Sequence, residues 1–97
     1  MSAVSETTFA RLCEVEATFH AAARAWFLDG RRRDTATYRA FCEAEAAELD
    51  YTGRFWPFAF TPEQSARWSE LARAFGPTAA EYEAGFAAEA DRERGAA

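Results

Sequence analysis

Two short motifs, TPEQ at residues 61–64 and TAAE at residues 78–81, have the form of capping boxes that begin α-helices. In a capping box the threonine hydroxyl accepts a hydrogen bond from a backbone N–H three residues later, and the glutamine or glutamate there bonds back to the threonine N–H. Pro62 stands at the first helical position, where a missing N–H costs nothing. The motifs therefore predict helices over residues 62–75 and 78–94.

The first half of the chain is rich in alanine and poor in β-branched residues, which favours helix. Residues 5–28 and 34–50 are predicted to form two helices, with Ser5 and Asp34 as their N-caps. The DGRRRD segment between them contains a glycine that suits a helix end. We therefore expect these two helices to form a hairpin.

The composition limits the class of protein. The chain has 97 residues, enough for one domain, and the predicted helices make residues 1–97 a single all-α domain. A net charge of −5, with arginine but no lysine, argues against binding to nucleic acid or an anionic membrane surface. No apolar run is long enough to span a bilayer, and no signal-peptide pattern is present. We expect a cytoplasmic protein with two free thiols, from a GC-rich bacterial genome that uses alanine and arginine in place of isoleucine and lysine.

The six residues LCEVEA at 12–17 return almost unchanged as FCEAEA at 41–46. Each copy contains a cysteine and two glutamates. Chance in an alanine- and glutamate-rich chain, or an old duplication of one helix, explains such a repeat through packing alone. The alternative is that the repeated glutamates form a functional site between the two helices.

One glutamate of each copy falls within an apolar stripe. On the first helix Glu16 lies in the middle of the stripe with His20, and on the second helix Glu45 does the same. The stripe residues are Phe9, Leu12, Cys13, Ala23 and Phe27 on the first helix, and Tyr38, Phe41, Cys42 and Leu49 on the second. In an antiparallel hairpin Glu16 lies level with residues 45–48, and His20 lies one turn away. We therefore predict Glu16, His20 and Glu45 as candidate catalytic residues.

Three interpretations of this set remain open. The side chains can hydrogen-bond to one another at a wet helix interface or dimer seam and have no further role. Helical carboxylates with histidine are also the ligands of ferritin-like proteins, although their Glu-x-x-His signature is replaced here by Glu16-x-x-x-His20 and Glu45-x-x-Glu48. In the third interpretation, an apolar environment raises the pKa of a glutamate for acid–base chemistry beside the histidine. We assign no metal ligand and expect no cofactor.

The segment YTGRFWPFAF at residues 51–60 holds five aromatic residues, and its proline excludes a continuous helix. These rings either close one end of the domain or form a groove wall or dimer surface for an apolar ligand or peptide. The arginines of the hairpin turn are either solvated or hold a carboxylate or phosphate. The predicted ligand-binding residues are Arg31, Arg32, Tyr38, Tyr51, Phe55, Trp56 and Phe58.

In its size, all-helical character and lack of cofactor motifs, the chain resembles the small cofactor-free accessory enzymes of lanthipeptide gene clusters, which join a lysine to a dehydroalanine. The resemblance implies a short peptide held at a dimer interface, with Glu16, His20 and the turn arginines beside it. Our main prediction is a homodimer that binds a peptide or small organic ligand in an aromatic-lined groove. A cofactor-free tailoring enzyme that forms lysinoalanine crosslinks in peptide natural products is the first alternative, and a ferritin-like metal-binding protein is the second.

Overall fold

The computed structural model describes residues 3–96, which form four α-helices. The helices are α1 (Glu6–Leu28), α2 (Ala36–Gly53), α3 (Pro62–Phe75) and α4 (Ala79–Ala96). The predicted all-α, four-helix fold is confirmed, and the described residues include no β-strand. None of these four helices is long and apolar enough to cross a membrane.

Side-chain caps explain where the helices begin, and three of the four predicted caps are confirmed. The Ser5 hydroxyl accepts a hydrogen bond from the N–H of Thr8 at 3.1 Å, which caps α1. The capping boxes at residues 61–64 and 78–81 are both formed, with all four hydrogen bonds between 2.9 and 3.1 Å. Each cap satisfies backbone N–H groups that a helix start would otherwise leave unpaired.

The N-cap of α2 is Thr35, and the predicted Asp34 is wrong. The Thr35 hydroxyl accepts from the N–H of Tyr38 at 3.2 Å and donates to the carbonyl of Arg32 at 2.9 Å. A hydroxyl can donate and accept at once, whereas an ionised carboxylate only accepts. Thr35 can therefore join the hairpin turn to the helix, which Asp34 cannot do.

Helix α2 also continues three residues beyond its predicted end at Asp50. The carboxylate of Asp50 pairs with Arg54 at 2.8 Å across the last turn. Gly53 occupies the final helical position, and nothing lies within 4 Å of the place where its side chain would be. An i,i+4 ion pair and a glycine at the end of a helix are both compatible with one more turn.

Of the four helices in residues 3–96, α1 is the only one that the others pack against. Within the described part of the chain, α2, α3 and α4 form no packing contacts with one another. The molecule is consequently elongated, with principal extents of 53 × 23 × 18 Å. Every buried contact between helices therefore has one side on α1.

The three outer helices lie along α1 in two rows. Helix α2 is antiparallel to α1, since its first turns pack on the last turns of α1. Helices α3 and α4 lie one after the other along α1, and both run parallel to it. Gln64 at the start of α3 bonds to Glu6, and Glu81 in the first turn of α4 pairs with Arg24.

Three aromatic residues of α1 form the centre of the core, and each receives rings from a different part of the chain. Phe9 packs edge-on against Phe60, at 5.2 Å between ring centroids. Trp26 stacks on Phe41 of α2 at 4.8 Å, and Phe27 contacts two rings of α4 at 4.7 and 5.1 Å. All three residues are buried. Since burying one large apolar side chain contributes about 1.5–3 kcal/mol, these rings supply much of the packing energy.

Gln64 is a buried polar residue whose hydrogen bonds are all internal. It is only 1% exposed. Its carbonyl oxygen accepts from the N–H of Thr61 at 3.0 Å, and its amide donates to the carbonyl of Val4 at 3.0 Å and to Glu6 at 3.2 Å. A buried amide is tolerated when its groups are paired in this way. Gln64 therefore joins the start of α3 to the start of α1.

Candidate functional site

A cluster of three ionisable side chains lies where α1 and α2 meet. Glu16 and His20 are one turn apart on α1, and His20 Nε2 is 3.4 Å from Glu16 Oε2. Their side chains are only 14% and 17% exposed. Glu48 of α2 is the third member, and its carboxylate acts on the Glu16 carboxyl through charge and a hydrogen bond.

Burial controls the protonation of this cluster. Burial and, to a lesser degree, the neighbouring Glu48 carboxylate together raise the pKa of Glu16 from its ordinary 4.5 to about 7. Burial also lowers the pKa of His20 below its ordinary 6.5, against an opposing effect of Glu48. Two carboxylates that face each other away from water share a proton more readily than they both ionise. The cluster therefore gains or loses a proton near neutral pH.

The loop after α3 closes one side of the cluster. A side chain added at Gly76 would lie 3.6 Å from His20 Nδ1. The Oε1 atom of Glu16 is buried and has no hydrogen-bond partner among residues 3–96. A carboxyl group with an unused oxygen and a pKa near 7 is suited to general acid–base chemistry.

The structure joins Glu16 and His20 as predicted, and the α2 carboxylate beside them is Glu48 rather than Glu45. Glu45 is half-buried and lies one turn before Glu48 on α2. Its charge acts instead on Tyr38, whose pKa is raised mainly by a hydrogen bond with Cys42 and to a lesser degree by Glu45. The two cysteines of the repeat are free thiols, as expected.

Metal ligation receives no support from this geometry. In the described part of the chain, no group of three or more histidine, cysteine, aspartate or glutamate side chains is arranged to hold a metal ion. The ferritin-like alternative therefore gains nothing from the structure.

The aromatic segment divides into rings that are half-buried and one ring that is mostly exposed. Phe58 and Phe60 stack on each other at 4.7 Å, and both contact Trp68 of α3 at 5.3 and 5.4 Å. Trp56, two residues earlier, contacts Phe58 edge-on at 5.3 Å between ring centroids, yet it is 72% exposed. The two interpretations of this segment therefore apply to different residues: Phe58 and Phe60 close the end of the domain, and Trp56 faces solvent.

A groove of about 330 Å³ lies between Trp56 and the beginning of α1. It is lined by Val4, Ser5, Thr8, Arg54, Phe55, Trp56, Pro57 and Ala59. A hydrogen bond from the N–H of Val4 to the carbonyl of Ala59 at 3.1 Å holds its two walls together. Sequence reasoning missed the wall formed by residues 4–8, which carries no aromatic signal.

The other predicted ligand-binding residues lie elsewhere. Tyr38 packs on Trp26 at 5.1 Å, towards the far end of α1. Tyr51 contacts the ring of Phe55 at 5.4 Å and does not line the groove. Of the seven predicted residues, only Phe55 and Trp56 meet there.

The two predicted arginines of the turn point to different partners. The guanidinium of Arg31 lies over Trp26 at 4.3 Å and pairs with Glu89 at 3.3 Å. Arg32 lies 3.7 Å from Asp34, and its backbone carbonyl accepts from the indole of Trp26 at 3.0 Å. Arg31 and Arg32 therefore do not form one clamp.

Comparison with protein-family profiles, with characterised proteins and with solved structures gives no match to this chain.

Proposed function

We propose that the protein binds a small aromatic ligand, or an aromatic side chain of a peptide, in the groove beside Trp56. The observation that carries this proposal is the 72% exposure of the Trp56 indole, next to rings that are packed. A tryptophan left in water gives up the large stabilisation that burial would bring, which a bound ligand can restore. The groove volume of about 330 Å³ lies at the lower end of the range for small-molecule sites, so it suits one or two rings.

We also infer that the protein is a cytoplasmic homodimer. Large apolar side chains with exposures between 41% and 72% support a second copy as a partner: Leu28, Leu49, Trp56, Phe75, Tyr82 and Phe86. Leu28 and Phe75 line one groove, and the rings of Tyr82 and Phe86 lie 6.5 Å apart. Contiguous exposed apolar area is typical of association surfaces. The free state of both cysteines supports a reducing compartment.

Replacing the exposed indole tests the binding proposal. N-Phenyl-1-naphthylamine, an uncharged aromatic dye whose fluorescence rises in apolar sites, is the probe. We expect Trp56→Ala to weaken dye binding roughly fivefold to tenfold, the loss of one aromatic contact of about 1–1.5 kcal/mol. Leu49→Ala is the matched control, because Leu49 is 65% exposed and does not line the groove. Equal binding by the two variants contradicts the proposal.

A cofactor-free acid–base enzyme is the second candidate, favoured by one observation. Glu16 exchanges a proton near neutral pH beside His20, and its Oε1 atom has no hydrogen-bond partner in the described part of the chain. In lysinoalanine formation, a base takes a proton from the lysine ammonium, the amine adds to the β-carbon of dehydroalanine, and the α-carbon receives a proton. Glu16 has the acid strength for both proton transfers.

The same chemistry can be measured with simple reactants. Butylamine and methyl 2-acetamidoacrylate stand for the two peptide groups, and their adduct is quantified by mass spectrometry. If Glu16 is the base, the protein accelerates the addition and Glu16→Gln lowers the acceleration at least tenfold. Glu14→Gln, a change at an exposed neighbouring glutamate, leaves it unchanged. A wild-type rate equal to that in buffer rules out this activity for the cluster.

A further inference from the structure

Two arginines of the hairpin turn and one arginine of α4 meet in a second groove. The groove has a volume of about 310 Å³. Its lining residues are Arg31, Arg33, Glu89, Arg92 and Glu93. It lies outside the proposed aromatic groove, with which it shares no residue.

The first arginine is held rigidly in place. The Arg31 guanidinium carbon lies 4.3, 4.9 and 4.7 Å from the ring centres of Trp26, Phe27 and Phe86. Its backbone has a φ of 58°, a left-handed conformation that costs a non-glycine residue on the order of 1 kcal/mol. The surrounding packing must offset this cost, so the position of Arg31 is tightly determined.

The second arginine is positioned by a glycine. Gly30 has a φ of 71°, and a side chain added there would lie 3.2 Å from Nη1 of Arg92. Because Gly30 has no side chain, the guanidinium of Arg92 can lie beside the turn. Among residues 3–96, neither Arg92 nor Arg33 has a carboxylate within ion-pair distance.

The charges of the groove indicate what it can hold. Glu89 pairs with Arg31 at 3.3 Å, so these two charges largely cancel. Arg33 and Arg92 then face one remaining carboxylate, that of Glu93, which leaves one net positive charge. A ligand with one negative charge would neutralise this single positive charge. A phosphate with two negative charges would exceed it and would lie beside the carboxylates of Glu89 and Glu93. Guanidinium groups bind a carboxylate through paired, charge-assisted hydrogen bonds.

We propose that this groove is a binding site for a monoanionic carboxylate, held by Arg33 and Arg92 against the fixed guanidinium of Arg31. Two sources carry this group, a free organic acid and the C-terminus of a peptide. Because Arg31 is already held in place, its side chain loses little entropy on binding. Added salt should weaken binding, since Arg33 is exposed.

The test is an NMR titration of the full chain, in which the Nε–Hε signals of the arginines are followed. Hippurate, its uncharged amide hippuramide, acetate and inorganic phosphate are the probes. Saturable shifts of Arg33 and Arg92 with hippurate are expected, with a dissociation constant on the order of 1 mM. Arg92→Ala should weaken binding roughly tenfold. Arg39→Ala removes the same charge from α2 at a residue that does not line this groove, and it should have little effect.

Each outcome decides for or against the site. If hippurate and acetate bind with equal affinity, the groove recognises only the carboxylate group, as expected for a free organic acid. If hippurate binds more tightly, the groove also recognises the neighbouring peptide group, as expected for a peptide C-terminus. The proposal is overturned if hippuramide binds as well as hippurate, if phosphate binds more tightly, or if the shifts fail to saturate. It is also overturned if Arg39→Ala and Arg92→Ala have the same effect.

Discussion

At pH 8.5 the Glu16→Gln variant is expected to be more stable than the wild-type protein by about 2 kcal/mol. The reason is that burial, together with the nearby Glu48 carboxylate, raises the pKa of Glu16 from 4.5 to about 7. The folded protein therefore binds more protons than the unfolded chain between these two values. Stability falls as the pH rises through this window, and the loss is complete above about pH 7. Glutamine resembles the protonated glutamate and carries no charge to be buried.

Urea denaturation between pH 4.5 and pH 9 measures this effect. Near pH 4.5 wild type and Glu16→Gln should have similar free energies of unfolding, because Glu16 is protonated in the folded state. Glu14→Gln is the control, since Glu14 is exposed and pairs with Arg11 at 3.0 Å. If the curves of Glu16→Gln and wild type stay parallel across this range, the burial of a titrating carboxyl at Glu16 is excluded.

His20 acts on the acid side with the opposite sign. Burial lowers its pKa below 6.5, so the unfolded chain binds more protons than the folded protein from 6.5 downwards. Stability consequently falls as the pH drops from 6.5 through the lowered value. The two residues therefore have opposite effects on stability just below pH 6.5. In Glu16→Gln only the loss of stability at acid pH that His20 causes should remain.

Gly85→Ala is expected to destabilise the protein by about 1–3 kcal/mol, although the same change inside an exposed helix is normally stabilising. The backbone of α4 lies directly on the ring of Phe27 at this position. A methyl group on Gly85 would clash with Phe27 Cδ1 and lie only 3.2 Å from Cε1. Phe27 is 7% exposed and enclosed by other rings, so it has little room to move. We expect α4 to be displaced from α1.

Thermal unfolding and the near-ultraviolet circular dichroism of the aromatic residues measure this displacement. Gly95→Ala is the matched control on the same helix, because nothing lies within 4 Å of the added methyl group. It should be neutral or slightly stabilising. A Gly85→Ala variant with an unchanged or higher melting temperature would show that α4 does not rest on Phe27.

The helices could be predicted because their starts are encoded locally. Ser5 and the two threonine boxes act within three residues of themselves, and this is the distance over which sequence patterns are most informative. The cap of α2 was missed because Asp34 and Thr35 are both good N-cap residues. The choice between them depends on the carbonyl of Arg32, a contact made by the folded turn.

The polar cluster was only partly predictable. Glu16 and His20 belong to one helix, so their spacing alone brings them together. The partner on α2 depends on how that helix is rotated, and neighbouring residues differ by 100° around its axis. The predicted stripe of α2 included Leu49 and Cys42, but both are exposed, so the true contact face is rotated towards Glu48. When a helix has apolar residues on several sides, its sequence alone does not show which side is buried.

Both grooves combine residues that are far apart in the chain. Trp56 meets residues 4–8, and Arg31 meets Arg92. No local pattern links such pairs, because their proximity comes from the way α3 and α4 follow α1. The aromatic and arginine clusters could be recognised in the sequence, whereas the second wall of each groove required the structure.

The central position of α1 has a consequence for how substitutions combine. Since α2 and α4 share no contact within the described residues, changes in these two helices should have additive effects on the free energy of unfolding. A substitution in α1 is different, because one side chain can contact two neighbours and couple them. During evolution each outer helix can therefore accept substitutions independently of the other two. Substitutions in α1 must remain compatible with all three outer helices.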